Sequence, residues 1–231
     1  MLRHLALATA IALGTAAIAA PAFAQDASSA QASSAATPQD VVTDITHQLD
    51  TQIADHKAEL ANNKPKLVSL INQIFLPHFD TDWASILVLG MHAREATPEQ
   101  RSRFAKAFYT SLTNRYAEGL LSYTKGTVKI LPFTGDLNDK YTVVRTQVST
   151  DDGKSISVNY VFHKTAGGQW KAYDVIIEGI SYITNYRNQV DAEIKKEGLD
   201  KLISDLETQG DQALKSMDQE SKPNGGQSNG G

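Results

Sequence analysis

Histidines 47, 56, 78, 92 and 163 are the side chains best suited to bind a metal ion or to move a proton near neutral pH. A zinc centre built on one helix needs two of them four residues apart, as in H-E-x-x-H, and no pair here has that spacing. The chain contains no cysteine, which excludes a thiol nucleophile and a disulfide alike. A serine nucleophile on a strand-to-helix elbow requires G-x-S-x-G, whereas Ser181 follows Gly179-Ile180 with no second glycine after it. Asp151-Asp152-Gly153 lacks the further acidic ligands of a calcium loop and reads as a hairpin turn. Asp136 and Asp139 lie in a polar loop, and Asp174 and Glu178 stand at the two ends of one predicted strand, too far apart to share a proton. Glu178, just before Gly179, is expected to cap backbone amides at the junction between strand and helix. These residues assemble no catalytic machinery. The chain therefore reads as a binding protein that needs no cofactor, not as an enzyme.

The segments flanking these residues set the compartment and the domain. Arg3 and His4 precede a run from Leu5 to Ala20 that is apolar apart from Thr9, Gly14 and Thr15, and Ala22-Phe23-Ala24 supplies the small-x-small cleavage pattern. Residues 1–24 are thus a predicted signal peptide, too short in its apolar run to span a bilayer. Removing it takes the formal net charge from −4 to −5, since Arg3 is the one charged side chain lost. No cysteine follows that could carry a lipid anchor, so a soluble periplasmic product is expected. Residues 25–37, rich in Ala, Ser and Gln, read as a disordered linker, and 211–231, ending in Gly, Asn and Ser, as a flexible tail. Between them, 38–210 is long enough for one domain of about 170 residues with an ordinary core. Mild acidity with scattered Lys and Arg argues against nucleic acid.

Within that domain the apolar period changes once. Val41, Ile45, Leu49 and Ile53 predict a first helix from Pro38, broken at Asn62-Asn63. Pro65 opens a second with Leu67, Leu70, Ile71 and Ile74, and Asp80 caps a short third carrying Trp83, Ile86 and Leu87 before Gly90. Thr97-Pro98-Glu99-Gln100 is a capping box, and Phe104, Phe108, Leu112, Tyr116, Leu120 and Tyr123 form one stripe along a helix running to about Tyr123. After Gly126 the period becomes two. Thr127–Phe133, Tyr141–Ser149, Ile156–His163 and Gln169–Ile177 then predict four strands joined by short turns, an antiparallel meander. Ile156, Val158, Tyr160 and Phe162 share one face, as do Tyr173, Val175 and Ile177. Helices resume at Ser181 and, after Gly198, at Leu199, which makes the class α+β.

Two stretches carry a family resemblance. Leu89-Gly90-Met91-His92-Ala93-Arg94-Glu95-Ala96-Thr97-Pro98-Glu99-Gln100 leads into Phe104 and Phe108, and Trp170-Lys171-Ala172-Tyr173-Asp174-Val175-Ile176-Ile177-Glu178-Gly179-Ile180-Ser181 leads into Asn185-Tyr186-Arg187-Asn188-Gln189. Together with the export signal these resemble the MlaC, or toluene-tolerance, family over roughly Pro38 to Gln209. Met91-His92-Ala93-Arg94 departs from the pattern, where an aromatic residue after Leu-Gly is expected. The resemblance implies an NTF2-like antiparallel four-stranded sheet with N- and C-terminal helices enclosing an apolar pocket. It implies a phospholipid as ligand, shuttled between an MlaA–porin complex at the outer membrane and an MlaD-containing ABC complex at the inner membrane, which hydrolyses the ATP.

Physical chemistry constrains such a carrier. The ~30 CH₂ groups of two acyl chains cost roughly 24 kcal/mol to leave in water, so they must be enclosed, in a cavity of ~1,000 Å³ or more. The expected lipid-binding residues are Tyr116, Leu120, Tyr123, Val158, Tyr160, Phe162, Val175, Ile177, Ile180 and Ile183. Two other readings stand beside this one: an NTF2-like module for another hydrophobic ligand or a protein partner, and a periplasmic adaptor with a solid core.

Overall fold

The computed structural model describes residues 36–134, 136–149 and 153–221. The predicted signal peptide, most of the linker, Gly135, Asp151 and Asp152 of the expected turns and the last ten residues of the expected tail lie outside that set. The fold starts at a reciprocal cap: the Thr37 hydroxyl accepts the Asp40 N–H at 3.2 Å, and the Asp40 carboxylate accepts the Thr37 N–H at 2.8 Å. Pro38 then opens α1, Pro38–Gln48. Val41, Ile45, Leu49 and Ile53 are all buried, but not along one α-helix. Four residues turn an α-helix by about 400°, so a strict spacing of four drifts about 40° per step away from the core. A π-helical turn over Leu49–Ile53 winds more loosely and brings both of its end residues back inward. A 3₁₀ turn and the short α2, Lys57–Ala61, complete the segment.

Asn63 caps α3, Lys64–Phe75, by accepting the Lys66 N–H at 3.1 Å, and Asp80 caps α4, Thr81–Leu89, by accepting that of Trp83 at 2.9 Å. The buried face of α4 is Ala84, Ser85, Val88 and Leu89, while the apolar Trp83 and Ile86 are exposed. The short α5, His92–Glu95, precedes α6, Pro98–Tyr116, whose Thr97–Gln100 capping box is present as predicted. The helix ends at Tyr116 rather than Tyr123. A 3₁₀ turn over Glu118–Ser122, containing Gly119, redirects the chain and carries Leu120 and Tyr123 to a different core from Phe104 and Phe108.

The sheet has five strands, not four: β1 Val128–Ile130, β2 Thr142–Ser149, β3 Ser155–Lys164, β4 Trp170–Ile177 and β5 Ile180–Ser181, in that order and antiparallel throughout. The extra strand follows a two-residue turn with Glu178 at φ 49° and Gly179 at φ 81°, the left-handed pair that lets a chain reverse between paired residues, here Ile177 and Ile180. Val144 pairs with Tyr160, Thr146 with Val158, and Tyr160 and Val158 in turn with Val175 and Ile177, so these share a face. A bulge between Val161 and Phe162 shifts the register, and Phe162 pairs with Ala172. Tyr173 therefore leaves the face of Val175 and Ile177, contrary to the strict alternation expected, and its ring meets His163 edge-on at 5.4 Å. At the outer edge of β4, Asp80 donates its N–H to the Ala172 carbonyl at 2.8 Å, joining the start of α4 to the sheet.

Ser181 caps α7, Tyr182–Glu197, and α8 spans Leu199–Gln209. The expected flexible tail from residue 211 instead begins as a helix, α9, Asp211–Ser221, with Ala213, Leu214 and Met217 buried. Those three apolar residues cover one helical face, enough to hold it against α6, α7 and α8. Two cores result. One joins α1 and α3 to the sheet through Val42, Leu67, Val144, Phe162 and Ala172. The other lies among the helices, around Phe104, Phe108, Tyr186, Leu202 and Leu214. No helix among the described residues is long and apolar enough to cross a membrane.

Candidate functional site

A cavity opens where the two cores meet. β4 supplies Tyr173, Asp174 and Val175; α4 supplies Ala84, Ser85 and Val88; α6 supplies Phe108, Leu112 and Tyr116; α7 supplies Tyr182, Ile183 and Tyr186; and Phe79 closes one end. Its wall is almost wholly carbon. The junction of strand and helix is fixed by Asp174, which is buried and accepts the Ser181 hydroxyl at 2.6 Å and the Ile183 N–H at 3.1 Å. That is the amide-capping role expected of Glu178. Glu178 itself accepts the Ser157 N–H, across the sheet rather than at the helix.

Polar groups on the wall are few and turned to one another. The Tyr116 and Tyr186 hydroxyls lie 2.9 Å apart, and the Tyr182 ring packs 6.1 Å from that of Tyr116. Burial pushes the hydroxyls of Tyr109, Tyr182 and Tyr186 above the usual tyrosine value, so all three stay neutral proton donors through the physiological range. Such groups orient a ligand without attacking it.

The cavity measures about 150 Å³. That volume accepts a single benzene-sized molecule and falls well short of the ~1,000 Å³ expected for two acyl chains. The rings on its helical side pack against one another, Phe108 stacking on Phe104 at 5.3 Å and meeting Tyr186 edge-on at 5.2 Å. Beside the cavity runs a half-buried apolar strip on one sheet face, Val148, Ile156, Val158, Tyr160, Val175 and Ile177. Val175 belongs to both.

Of the residues expected to hold lipid, Tyr116, Val175 and Ile183 line the cavity. Val158, Tyr160 and Ile177 lie on the strip. Leu120 and Tyr123 pack at the margin of the sheet core, where Phe162 is fully buried. Ile180 is 61% exposed on the two-residue edge strand. Sequence reasoning passed over Phe79, Ala84, Val88, Tyr182 and Tyr186, and it placed Phe108 on the helix stripe without counting it among the lipid-binding residues. The spacing of four between Ala84 and Val88, and between Tyr182 and Tyr186, marks each pair as one helical face, but a cavity wall and a solid core look alike at that level.

Three of the five candidate histidines are engaged with carboxylates on other elements: His163 with Asp80 at 2.9 Å, His92 with Asp191 at 2.9 Å and His78 with Asp44 at 3.2 Å. Each pair ties two elements together. Among the described residues no group of three or more acidic or histidine side chains is placed to hold a metal ion.

Comparison with known proteins places these features in context. The family model described as MlaC protein matches residues 43–208. Toluene tolerance protein ttg2D of Pseudomonas putida is 31% identical over 172 residues, covering 73% of this chain and 79% of that protein. The intermembrane phospholipid transport system binding protein MlaC of Haemophilus influenzae is 21% identical over 180 residues, covering 77% and 84%. Among solved structures, a phospholipid-binding protein from Ralstonia solanacearum, in complex with a phospholipid, superposes with a TM-score of 0.65 at 27% identity, covering 76% of this chain and 96% of its own.

Proposed function

The chain belongs to the MlaC family, and from that premise we propose that it binds a phospholipid by its acyl chains and carries it through the periplasm. The observation that supports this most directly is the phospholipid held by the Ralstonia solanacearum relative, which shares the fold of this chain over most of its length. The carbon-lined cavity between β4 and the helices supports the same reading. In this reading the tails contact Tyr116, Val175 and Ile183 in the cavity and Val158, Tyr160 and Ile177 along the strip. Leu120, Tyr123 and Phe162 complete the sheet side, with Ile180 at the rim.

Two tails do not fit in 150 Å³. Loading therefore requires the helical core to move off β4, so that the cavity and the strip become one space. The division into two cores favours such a movement, because each can keep its own packing while the joint opens. Besides the carbon-lined cavity wall, the joint is held by a few polar links, Asp80–Ala172, His163–Asp80, Asp174–Ser181 and Asp174–Ile183.

Transfer of lipid from a bilayer to such a pocket is near neutral in free energy, since both shelter the tails. Direction and speed then come from docking partners, for which an MlaA–porin complex and an MlaD-containing ABC complex are the candidates. The chain itself performs no chemistry on the lipid. The test is transfer of fluorescent phospholipid between donor and acceptor vesicles held apart by a membrane that only protein can cross. Transfer in proportion to protein supports a carrier, and its absence at any protein concentration counts against one. A second reading, a carrier of one small apolar molecule, is favoured by the cavity volume and predicts uptake of benzene-sized ligands with no phospholipid bound.

A further inference from the structure

Where the cavity reaches the surface, at Tyr116, the wall changes character. Tyr116 is 41% exposed although it lines the cavity, and Arg115 places its guanidinium carbon 5.6 Å from the centre of the Tyr116 ring. Arg115 forms an ion pair through Nη2 with Asp218 on α9. Its Nη1 is buried and has no hydrogen-bond partner among the described residues. A buried guanidinium N–H left unsatisfied is costly, more so than a neutral one. Around it stand the hydroxyls of Tyr116 and Tyr186, 2.9 Å apart, and Tyr182, whose ring lies 6.1 Å and 6.2 Å from theirs. Arg115 and Asp218 both lie close enough to Tyr182 and Tyr186 to perturb their acidity.

We propose that Arg115 Nη1, with the Tyr116 and Tyr182 hydroxyls, binds the phosphodiester of the carried lipid at the mouth of the cavity. The inference rests on the carrier reading and adds to it a recognition element for the head group. The chemistry is matched: a phosphodiester offers two free oxygens and one negative charge, and the site offers one charged N–H donor and neutral phenol donors. Asp218 shares the same guanidinium and so opposes the anion. It sets an upper limit on how tightly the phosphate is held, which suits a carrier that must release its cargo.

The test compares two lipids with identical oleoyl tails, phosphatidylglycerol and diacylglycerol, offered together in mixed micelles to the full mature chain. Bound lipid is then measured by mass spectrometry. The intact protein is expected to retain phosphatidylglycerol over diacylglycerol by about tenfold, the ratio that one charged hydrogen bond supplies. Arg115→Met should bring that ratio close to one, and Tyr116→Phe should lower it severalfold. Asp218→Asn should raise it, and it keeps the test decisive if Arg115→Met does not fold. Equal ratios in the intact protein and in Asp218→Asn and Tyr116→Phe would overturn the inference while leaving an acyl-chain carrier standing. Uptake of neither lipid by the intact protein would overturn the carrier reading and this site with it. Loss of the preference on adding inorganic phosphate at the lipid concentration would assign the site to free phosphate and overturn it as a lipid contact.

Discussion

Asp174 on β4 accepts the backbone N–H of Ile183, the second residue of α7, at 3.1 Å, so the strand forming one wall of the cavity caps the helix forming another. The same carboxylate accepts the Ser181 hydroxyl, and Ser181 in turn accepts the Thr184 N–H at 3.0 Å. Replacing Asp174 by Ala removes both bonds from a buried site. A loss of about 2–3 kcal/mol in folding stability is expected, with Asn, which can still accept the Ile183 N–H, costing less. Denaturant midpoints of the two variants measure it; an Ala variant as stable as the native chain would show that the cap carries no weight.

Val158 and Val175 lie on one sheet face, two residues apart along the cross-strand pattern, and Val175 reaches the cavity as well. Val158→Glu and Val175→Glu each place a carboxylate where acyl chains are proposed to lie, at a cost of several kcal/mol once lipid covers it. At least a tenfold drop in co-purifying phospholipid is expected, with the circular dichroism of the folded chain retained. If Val175→Glu loses lipid and Val158→Glu does not, the tails occupy the helical cavity but not the strip.

Gly90 ends α4 at φ 57°, a left-handed backbone that disfavours any Cβ, and a Cβ there would meet Arg187 Cδ at 3.3 Å. Arg187 is held in place, donating through Nε to the Leu87 carbonyl at 2.6 Å. Gly90→Ala is expected to cost about 1–2 kcal/mol, read as a lower melting temperature. An unchanged melting temperature would mean that the turn relaxes without cost.

The Lys195 ammonium, followed by His92, holds the Asp191 carboxyl below its usual value of 3.8. A depressed folded-state value means that the pairing stabilises the fold fully above the unfolded value and is lost as pH falls through the folded one. Asp191→Asn should therefore lower the melting temperature slightly at pH 7, and the gap should close as pH drops below about 4. A gap that persists at pH 2 would point to a packing defect instead.

Local signals in the chain foretold the elements that depend on local chemistry. The Thr97–Gln100 box, the Pro65 start and the helix start near Ser181 are each decided within four residues, and each appears where its residues put it. Features set by distant partners were not legible. Alternation along β4 cannot reveal that Tyr173 is the extra residue of a bulge, because the register is decided by β3. The helix through Ala213, Leu214 and Met217 is mostly polar, and only the groove it covers makes it a stable element. Site residues were hardest of all. Phe108 and Tyr186 are of the kinds that fill cores, and they do fill one while also walling the cavity. The sequence resemblance supplied the ligand class that periodicity could not.

The central claim is that this chain shelters two acyl chains, although its cavity measures only about 150 Å³. The most direct measurement is solvent extraction of the purified protein followed by mass spectrometry, with phosphorus quantified per chain. The account predicts diacyl phospholipid at close to one molecule per chain. Protein that carries no phospholipid, and takes up none when incubated with vesicles, would contradict it.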